Sequence, residues 1–432
     1  MDQQIKNYKR RENTSSESQQ SERSVSFQEL ILINLYLGDH LDNSEEETAD
    51  QHLKQMLSVR SVISTASSLA HRMEEGQILF AEDQKESYRR IGAGSCGTIY
   101  EKLGSASIVK LARPGVQALW NDYAFHCDVW HKFKNFKQLH EKIRIPEPMY
   151  FVKPDDKEGA EWWDKRLKCF PDTPYPVDRT EAIVAERIFP MPKQVRNAII
   201  EKWCPEKIKE AAKSQESNRN CLIRVLLGKA QVKSKHPSSM FSLQNYPLWV
   251  DKVQELEAVE YEDIAISMGG ALAALHWSVG TDARDVEFVL GSAPLPKKRI
   301  PTRAEVLKMG PSTTKDLVMG HDSKRRVIQL WLLDFNQCRE MERNETGLQL
   351  AVNAFFANDP YYPRPLTETS FRQKLWTSFK KGYLDLSNEI MAGESDPDVK
   401  TLPARFLEML VNAEQTRKVE QAAKEAKRMC DY

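Results

Sequence analysis

Residues 91–100 read IGAGSCGTIY and place Gly92, Gly94 and Gly97 in GxGxxG spacing. β-favouring segments stand on both sides, ESYRRIG before and GTIYEKL after, and a third, ASIVKLA, follows across the turn residues Gly104 and Ser105. A dinucleotide site of this spacing requires a helix directly after the glycines, and here a strand follows. Two uses remain for such a turn: glycines that let backbone amides lie over a phosphate chain, and an ordinary hairpin connection. Lys110 stands near the end of the third segment, behind apolar Ile108 and Val109. A lysine on a strand is usually solvated, and an acid beside it would hold it extended. The candidate is Asp122, at the border of the apolar stripe Val116, Leu119, Trp120, Tyr123, Cys127 and Trp130 in the next helix; the alternative is a plain surface carboxylate.

Further along, PEPMYFV and AIVAERIF read as two more strands around a charged insertion at 153–178. The order strand, strand, strand, helix, strand, strand predicts a small sheet with one helix laid against it. Past Pro190 the pattern becomes mostly helical. A helix over 261–277 buries Ile264, Met268, Leu272 and Leu275, and DVEFVLG and RVIQLWLLDF then read as strands on either side of the basic loop GSAPLPKKRIPTRAEV. A last amphipathic, highly charged helix covers 404–429. Toward the N-terminus, Leu30, Ile33, Leu35, Leu53, Met56, Leu57 and Val62 recur at helical spacing and predict accessory helices. Residues 1–26 are nearly free of large apolar side chains, too few to offset the entropy of ordering, so they are expected to be disordered. The resulting plan is a tail at 1–26, accessory helices at 27–80, a β-rich small lobe at 81–190, a mainly helical large lobe at 191–403 and a C-terminal helix at 404–432: an α+β chain.

Composition narrows the function classes. In 432 residues, 62 Lys and Arg balance 62 Asp and Glu, so no net field draws the molecule to nucleic acid or to an anionic membrane. The basic string PLPKKRIPTR has no aromatic residue among its charges and reads as a solvated loop, which makes nucleic acid an unexpected partner. Seven cysteines are scattered without a CxxC or CxxxC pair, a pattern of reduced thiols rather than of disulfides or a structural zinc site. The first residues lack the apolar core of a secretory signal, and the apolar run LILINLYLG is too short to cross a bilayer. These features predict a soluble intracellular protein, cytoplasmic or nuclear.

The most specific pattern follows ALAALHW. Asp282 in TDARDVEFVLG is followed five residues later by Glu287 and then by apolar Phe288, Val289 and Leu290; farther on, WLLDFNQC puts Asp334 at the end of a strand. Each acid taken alone is compatible with a solvated turn. Taken with the glycines and the lysine in this order, the set resembles the protein-kinase-like superfamily over 87–339, with a two-lobed fold.

The resemblance implies roles. Gly92, Gly94 and Gly97 would lie over the triphosphate of ATP, and Lys110, held by Asp122, would grip the α- and β-phosphates. Asp282 would accept the proton of an attacking hydroxyl, Arg284 would replace the loop's charge-stabilising lysine, and Asp334 with Glu287 would hold Mg2+. The strings IGAGSCGTIY, LWNDYAFH, AERI, LHWSVGTDARDVEFVLG, QLWLLDFNQC and NDPYYPRP together are also similar to a fungal family of unknown function described as "zinc finger protein". The chain departs from that description, having no Cys/His quartet at ligand spacing; His126 and His131, five apart, do not share a helix face.

Departures from the kinase pattern bear on activity. Gly280-Thr281 stands where kinases carry His-Arg, Glu287 replaces a metal-binding Asn, and Asn336 replaces the glycine after the metal-binding Asp-Phe. No APE-like element follows Asp334, so little chain is left for docking a peptide. Two functions therefore stay open: ATP-Mg binding with phosphate transfer to a small molecule, as in aminoglycoside or choline kinases, and a catalytically inactive scaffold that binds a protein partner.

Overall fold

The computed structural model describes residues 53–54, 62–64, 87–102, 107–113, 118–172, 176–232, 240–256, 261–294, 303, 307 and 325–430. The expected N-terminal tail, most of the accessory helices and most of the basic string PLPKKRIPTR lie outside these residues. Among the described residues the chain is a mixed α+β protein with two sheets and ten α-helices.

In chain order, a short strand β1 (Val62–Ser64) precedes β2 (Tyr88–Ala93), β3 (Gly97–Lys102) and β4 (Ser107–Ala112). Helices α1 (Ala118–Phe133) and α2 (Lys137–Lys142) follow, then β5 (Ile143–Arg144), β6 (Pro148–Val152), α3 (Lys157–Arg166) and β7 (Ala182–Glu186). The first sheet has the order β2-β3-β4-β7-β6, antiparallel throughout. Its strands alternate between two cores, as the two-residue period of a strand requires. Val109, Leu111, Ala182 and Val184 pack on the side of Trp163 and Phe170, whereas Ile183 and Ala185 pack with Leu119 of α1. Lys110, between Val109 and Leu111, therefore faces α1.

That helix is rotated relative to its sequence reading. Its buried face is Leu119, Asp122, His126, Val129 and Phe133, while Trp120 is 51% exposed. Two aromatics of the apolar stripe, Trp120 and Tyr123, cluster with Phe151 instead, Trp120 edge to face at 4.9 Å. Asp122, expected at the border, sits in the middle of the buried face.

The second half comprises α4 (Lys193–Trp203), α5 (Lys209–Ser214), β8 (Ile223–Leu226), β9 (Tyr246–Trp249), α6 (Val250–Glu255), α7 (Tyr261–Ala273), β10 (Glu287–Pro294), β11 (Arg325–Leu333), α8 (Glu345–Ala357), α9 (Ser370–Met391) and α10 (Pro397–Cys430). It is less purely helical than its sequence predicts, because β8 and β9 join β10 and β11 in a second sheet, ordered β1-β11-β10-β8-β9 with β5 added in parallel to β11. Val62–Ser64, expected within a helix, is strand β1 and pairs with β11, consistent with the β-branched Val62 and Ile63. Ile264, Met268, Leu272 and Leu275 are fully or almost fully buried, the last in a π-helical turn, Ala274–Val279, that extends α7. Helices α7 and α9 cross at backbone distance: a Cβ on Gly269 would lie 2.1 Å from the Phe379 carbonyl oxygen, and one on Gly382 2.0 Å from that of Ile266. No helix among the described residues is long and apolar enough to cross a membrane.

Candidate functional site

The two sheets meet at a cleft whose lining includes Gly92, Gly94, Lys110, Asp122, Glu287 and Asp334. Six of the nine residues singled out in the sequence thus share one depression. Its walls are apolar, with Ile91, Ile99 and Ile108 from the first sheet facing Leu222, Val289 and Leu333 from the second half. The cleft, about 180 Å³, shares Gly92, Ala93, Asn220, Gln244 and Asn245 with a polar hollow of about 640 Å³ that also takes in Arg89 and Ser217. Across the mouth, Gln244 Nε2 donates to the Ile91 carbonyl at 3.1 Å, and Arg89 Nη1 donates to Glu216 Oε1 at 3.3 Å.

The glycine turn is closed by Gly94 N–H donating to the Gly97 carbonyl at 2.8 Å. Its three glycines are not equivalent. A Cβ on Gly97 would lie 2.6 Å from the Leu111 carbonyl oxygen, so only glycine lets β3 approach β4 there. At Gly94 a Cβ would meet only Asp334 Oδ2, at 3.9 Å, and at Gly92 only Ile99, at 3.7 Å and beyond. Gly94 therefore faces the acid across the cleft, and Gly92 is not required by packing.

Lys110 is 9% exposed. Its Nζ donates to Asp122 Oδ2 at 2.7 Å and to Asp334 Oδ1 at 3.0 Å. Burial alone would lower its pKa; the two carboxylates overcome this and hold it well above the ordinary lysine value. Asp122 resists its own burial because the ammonium beside it favours the charged form, and its carboxyl lies below the usual range. Asp334 is raised, first by burial and then by the neighbouring Asp122 charge. Its backbone is left-handed, φ 63°, an uncommon state for a non-glycine residue that turns the carboxylate toward Lys110 at the exit of β11. The next residue, Phe335, is buried beside His126 and donates its N–H to Asp122 Oδ1 at 2.8 Å. Asn336 Nδ2 reaches Ser95 Oγ in the glycine turn at 2.9 Å, and Asn121 Nδ2 donates to the carbonyls of Asn336 and Cys338.

The loop before β10 is arranged differently from its sequence reading. Asp282 is 1% exposed and does not line the cleft. Its Oδ1 accepts the backbone N–H groups of Arg284 at 3.1 Å and Arg339 at 3.0 Å, and its Oδ2 is buried without a hydrogen-bond partner. Burial pushes this carboxyl above the usual range. Arg284 turns to Gln337 Oε1 at 3.4 Å and also stays outside the cleft. Glu287 does line it, but Oε1 is engaged by Arg224 Nη2, whose Nη1 donates to Asp359 Oδ2 at 2.9 Å. Burial, acting against Arg224, raises the Glu287 carboxyl to about 7.

Two charged side chains were missed in the sequence: Arg224, which lines the cleft, and Asp285, which does not line it but lies within electrostatic reach of Asp334. Arg224 lies in CLIRVLL, where one charge in an apolar run carries no motif; reading that run as a strand was the available clue. Asp285, in the left-handed conformation with φ 63°, accepts from Gln337 Nε2, and burial followed by the Asp334 charge raises its carboxyl.

A family model described as "zinc finger protein" matches residues 330–395, from the end of β11 through α9. No curated protein matches the chain. The matched stretch contains one cysteine, Cys338, and no histidine. Among the described residues, Cys96, Asp122 and Asp334 place three donor atoms within 4.8 Å of one another, but both carboxylates already bind the Lys110 ammonium. A donor set with a lysine bonded to two of its three members does not fit a four-ligand structural zinc site.

Proposed function

We propose that the cleft binds ATP with Mg2+ in a protein-kinase-like, two-lobed arrangement. The observation that carries this reading is the single ammonium of Lys110 held between Asp122 of α1 and Asp334 of β11's exit, beneath a glycine turn whose Gly94 faces Asp334 Oδ2. Kinases hold a strand lysine on the phosphates with an acid from the adjacent helix, and they bring a metal-binding aspartate from the end of a later strand. The strand order β2-β3-β4-β7-β6 with α1 between β4 and β6 supports the same reading. The apolar walls supply two faces for a base, Lys110 a phosphate contact, and Asp334 Oδ2 an oxygen ligand of the hard type Mg2+ prefers. Asp334 would hold the ion, which would supply charge neutralisation for the phosphate oxygens.

The experiment is a thermal-denaturation series. A ligand that binds only the folded state adds stability by about RT ln(1 + [L]/Kd), so ATP with Mg2+ at a hundredfold excess over Kd stabilises by about 2.7 kcal/mol. Absence of any shift at millimolar ATP and Mg2+ overturns the proposal.

The burial of Asp282 favours nucleotide binding without transfer, because its carboxylate is buried outside the cleft with Oδ1 on two backbone amides instead of facing an acceptor. Phosphate transfer to a small molecule is the second reading, and the observation favouring it is Asp285, a left-handed residue of the same loop held by Gln337 Nε2, although it does not line the cleft. ATP turnover by wild type, Asp282→Asn and Asp285→Asn separates the two. Turnover lost only in Asp285→Asn supports transfer, and background rates in all three support the binding scaffold.

A further inference from the structure

The acidic floor of the cleft contains its own cation. Arg224 on β8, Glu287 at the start of β10 and Asp334 just after β11 lie at the same end of three adjacent strands, since β10 pairs with both β8 and β11 and Glu287 is opposite Leu333. The guanidinium engages Glu287 with Nη2 and Asp359 with Nη1, and its side chain remains 25% exposed where it lines the cleft beside Asp334.

Two consequences follow from this geometry. Glu287, which the sequence pattern assigns to a metal, spends an oxygen on arginine, so the position of a second metal ligand serves to anchor a fixed positive charge. A guanidinium has five N–H donors; Arg224 spends one on each carboxylate and keeps a second N–H on Nη1 and on Nη2 for phosphate oxygens, while its Nε is buried without a partner. We infer that Arg224 is a phosphate-binding residue that takes the place of a second divalent ion, so that a nucleoside triphosphate retains affinity for this cleft without metal. Glu287 and Asp359 are its positioning residues. This inference rests on the nucleotide reading given above.

The test measures ATP binding by calorimetry in MgCl2 and, separately, in excess EDTA. Wild type should bind in EDTA within about tenfold of its affinity in MgCl2, whereas Arg224→Gln should lose at least about tenfold in EDTA and clearly less in MgCl2, as expected for one charged hydrogen-bonding group. Arg224→Gln leaves Glu287 buried without its counter-charge, so the double variant Arg224→Gln/Glu287→Gln is measured beside it and should show the same selective loss in EDTA. Wild-type binding that requires Mg2+ absolutely, or variants weakened equally in both buffers, overturns the inference and leaves the nucleotide reading intact. No binding under either condition overturns both.

Discussion

Asp122 and Phe335, 213 residues apart in the chain, are joined by a 2.8 Å hydrogen bond from the Phe335 backbone N–H to Asp122 Oδ1. The other oxygen of the same carboxylate holds Lys110. One side chain on α1 thus fixes both the lysine of the first sheet and the backbone at the exit of the second. Asp122→Ala should destabilise the protein by about 3–5 kcal/mol, the usual effect of removing one member of a buried ion pair. Asp122→Asn, which keeps an acceptor for the Phe335 amide, should lose less. Urea denaturation measures both, and an alanine variant within about 1 kcal/mol of wild type would show that Asp122 does not organise the junction.

The glycine turn offers a separation of packing from binding. Gly97→Ala drives a methyl group into the Leu111 carbonyl and should cost about 1–3 kcal/mol of stability, the range for overpacking. Gly94→Ala has room and should fold with nearly wild-type stability, yet its methyl group enters the space between the turn and Asp334. Its expected deficit is in nucleotide affinity alone. Equal stability losses in the two variants would contradict the distances on which this distinction rests.

His276 is buried, donates to or accepts from the Tyr383 hydroxyl at 3.0 Å, and has its pKa lowered by burial to about 3. The folded protein therefore carries it neutral while the unfolded chain protonates it near 6.5. Its contribution to stability is complete above pH 6.5 and declines as pH falls toward 3, by up to about 1.4 kcal/mol per pH unit. His276→Gln should flatten the stability curve over that window. Parallel curves for wild type and variant, measured by denaturation between pH 7 and pH 4, would exclude His276 as a source of acid sensitivity.

The description of the matching family invites a direct metal experiment. Treatment with a strong chelator should leave the melting temperature unchanged, because no described cluster provides the ligands of a structural zinc site, and such sites contribute folding free energy outright. Stoichiometric zinc in the purified protein, released together with unfolding, would refute this.

How far the site could be read in the sequence depended on whether its chemistry was local. The glycine turn, Lys110 and Asp334 were legible because each is marked by flanking strands whose residues are neighbours in the chain. The face of α1 was misjudged because Trp120 counts as apolar in a helical pattern while the fold leaves it on an aromatic surface patch. Asp282 matched by spacing, but spacing does not show which way a loop carboxylate turns; that depends on the amides of Arg284 and Arg339, one of them 57 residues away. Arg224 offered only the clue of a strand-like run, which does not reach the site. Its meaning comes from strand pairing between β8 and β10, which brings it to Glu287 only in the folded chain.

The exposed hydrogen bonds from Gln244 to the Ile91 carbonyl and from Arg89 to Glu216 link the two sides of the hollow that adjoins the cleft. An exposed neutral hydrogen bond contributes a net stabilisation of about 1 kcal/mol, which corresponds to roughly a fivefold preference for the bridged mouth. A latch this weak opens thermally without a partner to release it. On the nucleotide reading, a ligand's affinity then rests on the interior, on the cations Lys110 and Arg224 and the acids that position them, rather than on the door.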